Sequence, residues 1–141
     1  MLAVDEDTFA FSAYMDARRL PAGTAEEQAR RNAKMQDGLK LAVEVPLRTA
    51  RLSYEAMEAA EMAMQHGNPN SITDAMVGFT IASAGVRGGI WNVLINLKDL
   101  SDAAFVAEMR PVCAKLLAQA DALVARATTD GNARLDSMLP N

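Results

Sequence analysis

The chain has little of what several specialised protein classes require. Of its 141 residues one is cysteine and one is histidine, which excludes an internal disulfide framework and leaves no ligand set for a structural zinc site. Aromatic residues make up only 5% of it. No run of Lys and Arg offsets the formal charge of −4, so nothing attracts a nucleic acid or an acidic membrane surface. No apolar stretch approaches the length of a membrane span, and the opening residues carry Asp5, Glu6 and Asp7 in place of the basic start of a signal peptide. These absences point to a cytoplasmic protein that binds neither metal, nucleic acid nor membrane. What is present is alanine, 27 residues of it, in a chain that is 50% hydrophobic. Small side chains in that proportion imply closely packed helices. At 23% charged residues the apolar content is sufficient to fold, and the length suits one domain.

Four segments show helical periodicity, and none shows the period-two alternation of a strand. The expectation is an all-α antiparallel bundle of about four to five helices. The first segment ends near Leu20, before Pro21 and Gly23. Thr24 and Glu27 form a capping box that opens the second, which continues to His66 and is closed by Gly67. Pro46 lies inside it, predicting either a kink near Val45 or two abutting helices. After the turn Gly67-Asn68-Pro69-Asn70, Ser71 and Asp74 start a third helix that reaches about Leu97. Ser101 is expected to cap a fourth, which contains Pro111 and fades near Thr129 and Gly131. The domain is thus expected over residues 1–130, with 131–141 a flexible tail.

The third helix carries an unusual stripe. At about 100° per residue, Gly78, Ala82, Gly85 and Gly89 fall on one narrow face, which begins at Asp74 and continues into Asn92 and Asn96. Glycine inside a helix costs roughly 1 kcal/mol relative to alanine, so another backbone is expected to approach there. Either a neighbouring helix packs closely, with the asparagines bonding its carbonyls, or the stripe lines a ligand cleft or subunit contact with Asp74, Asn92 and Asn96 as polar fixings. In the first helix Asp7 shares a row with Phe11 and Tyr14. It either complements the helix dipole or, half buried beside rings, has a raised pKa and moves protons near neutral pH. His66 suits a helix end, and Cys113, without a histidine nearby, suits a core. Arg30 and Arg31 either pair with Glu26 and Glu27 or bind an anion in a cleft.

Several strings together carry a resemblance. They are Asp7-Thr8-Phe9-Ala10-Phe11, Leu20-Pro21 with Thr24 and Glu27, Arg31 with Gln36, Val45-Pro46-Leu47, Gly67-Asn68, Thr73-Asp74-Ala75, and Asn92 through Asp99. In this order and spacing they resemble the cyclodeaminase/cyclohydrolase family, which includes the C-terminal part of formiminotransferase-cyclodeaminase and stand-alone methenyltetrahydrofolate cyclohydrolases. The resemblance covers about Val4 to Arg126. The string ending in Lys98 and Asp99 is closer to the bifunctional enzyme.

The resemblance implies an all-helical, dimeric domain that holds a tetrahydrofolate derivative in a cleft between helices, requires no metal, and can accompany a formiminotransferase domain. The implied reaction converts 5-formiminotetrahydrofolate to 5,10-methenyltetrahydrofolate with loss of ammonia. Methenyltetrahydrofolate hydrolysis and a catalytically inactive helical dimerisation fragment are the alternatives. The family's catalytic aspartate falls on Asp7, and Asp74, Asn92, Asn96 and Arg31 become candidate substrate contacts. Family members open with a Pro-containing, triple-glycine segment that has no counterpart before Asp7. An N-terminally truncated member is therefore expected, with an apolar patch left open on the third helix.

Overall fold

The computed structural model describes residues 3–140, with side chains from Thr8 onward except that of Ala10. Among the described residues the fold is all helical: α1 (Ala3–Arg18), α2 (Ala25–His66), α3 (Ile72–Leu97) and α4 (Ala103–Asp136), with a single 3-10 turn, Pro69–Ser71, before α3. The connections are short, so successive helices run antiparallel. No helix among the described residues is long and apolar enough to cross a membrane.

Local chemistry sets most boundaries. The Thr24 hydroxyl accepts from the Glu27 amide, and the Glu27 carboxylate accepts from the amides of Thr24 and Gly23, which completes the capping box. At the other end of α2, the Gly67 amide donates to the Ala63 carbonyl, and a Cβ on Gly67 would collide with that oxygen. Residues 25–66 form one unbroken helix through Pro46, so the two-helix alternative is not realised.

Two expected ends move. Asp102, not Ser101, caps α4, its carboxylate accepting from the Phe105 amide, while the Ser101 amide donates to Gln36. The helix also runs past Thr129 and Gly131 to Asp136. Gly131 is buried, and its Cα lies close enough to Met64 and Met76 for an added Cβ to touch both. Tertiary packing here outweighs the low helix propensity of glycine.

The core lies where α2, α3 and α4 meet. Met57 and Val43 of α2, Val86, Ile90 and Val93 of α3, and Cys113 and Leu123 of α4 are among its best-buried side chains. Burial pushes the Cys113 thiol up, so it packs as a small apolar residue. Gly89 marks the closest approach of α3 to α2, because a Cβ there would lie 2.7 Å from the Pro46 carbonyl oxygen and 2.8 Å from the Ala50 Cβ. Helix α1 lies on α2 alongside this core, where Tyr14 backbone atoms pass within 3.0 Å of a Cβ built on Gly38.

Polar contacts tie the helix ends together. Lys40 bonds Asp102 at 2.7 Å and lies 5.3 Å from the centre of the Phe105 ring. Gln36 donates to the Asp99 carbonyl as well as accepting from Ser101, which clamps the α3–α4 turn to α2. Arg126 makes a two-pronged contact with Glu61, and Arg134 donates to the Gln65 carbonyl.

Candidate functional site around Gly38 to Pro46 of α2

Pro46 has no N–H, so the carbonyl of Ala42, four residues earlier, loses its helical partner. Asn96 of α3 supplies the missing donor, its amide nitrogen lying 2.7 Å from that oxygen in a partly buried setting. Asn96 thus ties α3 to α2 at a level one turn beyond Gly38, against which α1 rests.

Asn92 differs. It is exposed, and its amide donates to the Gly88 carbonyl in its own helix at 2.9 Å. Asp74 is exposed in the first turn of α3, about 33 Å along the helix axis from Asn96 at 1.5 Å per residue. The stripe is therefore divided: Gly85 and Gly89 face α2, whereas a Cβ on Gly78 would meet nothing within 4 Å. Arg31 is partly buried, and its Nε is enclosed without a hydrogen-bond partner. Asp7 falls within α1, but its side chain lies outside the described residues. Phe11, its neighbour by helical spacing, is 62% exposed.

Between α1 and α2 runs an open groove of about 650 Å³. Phe9, Ala13, Asp16, Ala17 and Leu20 line it from α1, and Arg30, Lys34, Asp37, Gly38 and Leu41 from α2. Its floor is apolar, its walls carry two cations and two carboxylates, and its volume suits a small-molecule ligand. The signal for it was present in the sequence, because Arg30, Lys34, Asp37 and Leu41 recur every three or four residues and so share one face of α2. Arg30 of the adjacent arginine pair lines the groove and Arg31 does not. None of Asp74, Asn92 and Asn96 lines it.

Comparison with known proteins bears directly on this arrangement. The sequence profile of the formiminotransferase-cyclodeaminase family matches residues 1–115. The chain belongs to that family. Formimidoyltransferase-cyclodeaminase of Gallus gallus is 43% identical over 117 residues, which are 83% of this chain and 22% of the relative. Methenyltetrahydrofolate cyclohydrolase of Methylorubrum extorquens is 43% identical over 120 residues, 85% of this chain and 58% of the relative. The chain thus spans about a fifth of the bifunctional proteins and somewhat over half of the cyclohydrolase. The crystal structure of formiminotetrahydrofolate cyclodeaminase from Thermotoga maritima has the same fold, with a TM-score of 0.69 at 24% identity, covering 96% of this chain and 62% of the other. Within the family frame, Asn96, Gln36 and Asp99, all quoted above for the resemblance, act in helix-to-helix contacts.

Proposed function

We propose that this member of the formiminotransferase-cyclodeaminase family binds a reduced folate between α1 and the Gly38–Pro46 stretch of α2, and that its reaction is the cyclodeamination of 5-formiminotetrahydrofolate. The observation that carries the reading is a shared level along α2. Tyr14 of α1 lies against Gly38, and in an antiparallel pair seven residues back along α1 correspond to seven forward along α2, which brings the backbone of Asp7 level with Val45. From the opposite side, Asn96 bonds Ala42 and Gly89 abuts Pro46. Asp7, Asn92 and Asn96 are then within about two turns of one another along α2.

At that level the chemistry requires one group that moves protons. N10 of the substrate attacks the formimino carbon, a C–N bond forms, the bond to the departing nitrogen breaks, and ammonia leaves as 5,10-methenyltetrahydrofolate forms. With the formimino group protonated as its amidinium, the incoming N10 must lose a proton and the departing NH2 must gain one to leave as ammonia. A single carboxyl can do both in turn, and Asp7 is assigned that role. Asn96 and Asn92 orient the polar edge of the substrate. The groove continues from Leu41 to Arg30, about 16 Å of helix. It suits the aminobenzoyl group over its apolar floor and the anionic glutamate at Arg30 and Lys34. Asp74, at the far end of α3, and Arg31, which does not line the groove, are not part of this site.

The identity shared with a methenyltetrahydrofolate cyclohydrolase favours a second reading, hydrolysis of the methenyl compound to the 10-formyl form. Turnover of both substrates, followed by the near-ultraviolet absorbance of the methenyl group, separates the two. A rise with 5-formiminotetrahydrofolate supports cyclodeamination, and a fall with 5,10-methenyltetrahydrofolate supports hydrolysis. Neither change, with no equilibrium binding of tetrahydrofolate, would contradict both and leave a helical association module.

A further inference from the structure

The turn between α3 and α4 is held from behind. Gln36 of α2 bonds both the Asp99 carbonyl and the Ser101 amide, and Lys40 bonds Asp102, so the end of α3 and the start of α4 keep a fixed register. Leu97 and Ala103 flank the turn, which in an antiparallel pair sets Leu94 level with Val106. Between these two rows lies a crease of about 330 Å³, lined by Leu94, Leu97, Lys98, Val106 and Arg110. Leu97 is buried, but Leu94 is 40% exposed, so the apolar centre of the crease is open to a ligand.

Both charged residues of this lining are cations. The groove between α1 and α2 sets Asp16 and Asp37 beside Arg30 and Lys34, and the hollow between α2 and α4 sets Glu61 and Asp130 beside Arg134. Lys40, Arg87 and Arg126 each hold a carboxylate, whereas among the described residues neither the Lys98 nor the Arg110 side chain has an ion-pair or hydrogen-bond partner. In a chain with a formal charge of −4, the crease is a local concentration of positive charge and not part of a basic surface. The two cations stand at opposite ends of it. Lys98 is at the turn, level with Asp102, and Arg110 is eight residues further along α4, about 12 Å away at 1.5 Å per residue. Leu94 and Val106 occupy the level between them.

We propose that the crease between α3 and α4 binds a small molecule with an anionic group at each end of an apolar body, of the chemical class of a medium-chain dicarboxylate. Lys98 pairs with one carboxylate, Arg110 holds the other in its planar fork, and Leu94, Leu97 and Val106 cover the chain between them. Charge complementarity selects this occupant. A monoanion would leave one cation without a counter-charge, and a neutral apolar ligand would leave both. The crease shares no lining residue with the groove between α1 and α2, so the proposal is independent of the folate reading.

Isothermal titration of the whole chain at low salt with sebacate, and with its monomethyl ester as a probe of the same length and one charge fewer, tests it. Sebacate is expected to bind once per chain and about tenfold more tightly than the ester, with the difference shrinking as salt rises. Lys98→Gln and Arg110→Gln should each bring sebacate down to the affinity of the ester. Both residues are exposed, so both variants should keep the helicity of wild type. Leu94→Glu puts a carboxylate between the two cations and should abolish binding. No binding of sebacate would overturn the proposal, as would equal affinity for sebacate and its ester. A Lys98→Gln, Arg110→Gln double variant that binds sebacate like wild type would also overturn it, by placing the ligand elsewhere on the chain.

Discussion

Asn96 gives the Ala42 carbonyl the hydrogen bond that Pro46 cannot, at 2.7 Å and from a different helix. The proline and the asparagine are therefore coupled across α2 and α3, and the coupling can be measured. Asn96→Leu should destabilise the protein by about 1–3 kcal/mol, since it leaves a partly buried carbonyl without a donor. In a Pro46→Ala background the restored backbone N–H takes over, so the same substitution should cost at least 1 kcal/mol less. Denaturant unfolding of the four proteins gives the coupling, and equal costs in both backgrounds would refute it.

Gly89 and Gly78 lie on the same sequence stripe but have opposite surroundings. Gly89→Ala would force a Cβ into the Pro46 carbonyl and Ala50, and the strain of about 1–3 kcal/mol should outweigh the gain in helix propensity. Gly78→Ala meets open space and should stabilise by up to about 1 kcal/mol. Thermal unfolding should shift in opposite directions.

Asp102 has its carboxyl held below the usual carboxylate range, first by the Lys40 hydrogen bond and then by the Phe105 amide. A folded-state value below the unfolded one contributes stability above the unfolded value, near pH 4, and loses it as pH falls through the folded value. Asp102→Asn keeps a capping oxygen but not the charge. Its stability should fall less steeply than that of wild type below about pH 4. Both partners are more than a third exposed, so the difference should be modest and weaken with salt. Parallel acid titrations by circular dichroism would read it.

Arg30 and Lys34 face the groove from successive turns. Replacing both with Gln should weaken binding of tetrahydrofolate by about tenfold, through loss of charge-assisted contacts to the glutamate. Binding of a tetrahydropterin without the glutamate tail should be unchanged. Isothermal titration of both ligands distinguishes a tail site from a general loss of structure.

The fold was legible where the deciding chemistry is local. The Thr24 and Glu27 box, the Gly67-Asn68-Pro69-Asn70 turn and the continuous helical periodicity all act within a few residues. The ends of α4 were not, because Asp102 is fixed by Lys40 from another helix and Gly131 by Met64 and Met76. The same division runs through the site. Periodicity gathered Asn92 and Asn96 into one stripe, but only packing separates Asn96, bonded across to α2, from Asn92, bonded within its own helix. The groove rows on α1 and α2 become one feature only when the two helices lie side by side.

The proton-moving role of Asp7 is the centre of the functional account. Its most direct test is the rate of methenyl formation from 5-formiminotetrahydrofolate by wild type and by Asp7→Asn, with tetrahydrofolate affinity measured on both. The account predicts that wild type turns over, and that the variant binds with similar affinity but reacts about 10²–10⁴-fold more slowly. An Asp7→Asn protein that reacts as fast as wild type would contradict it.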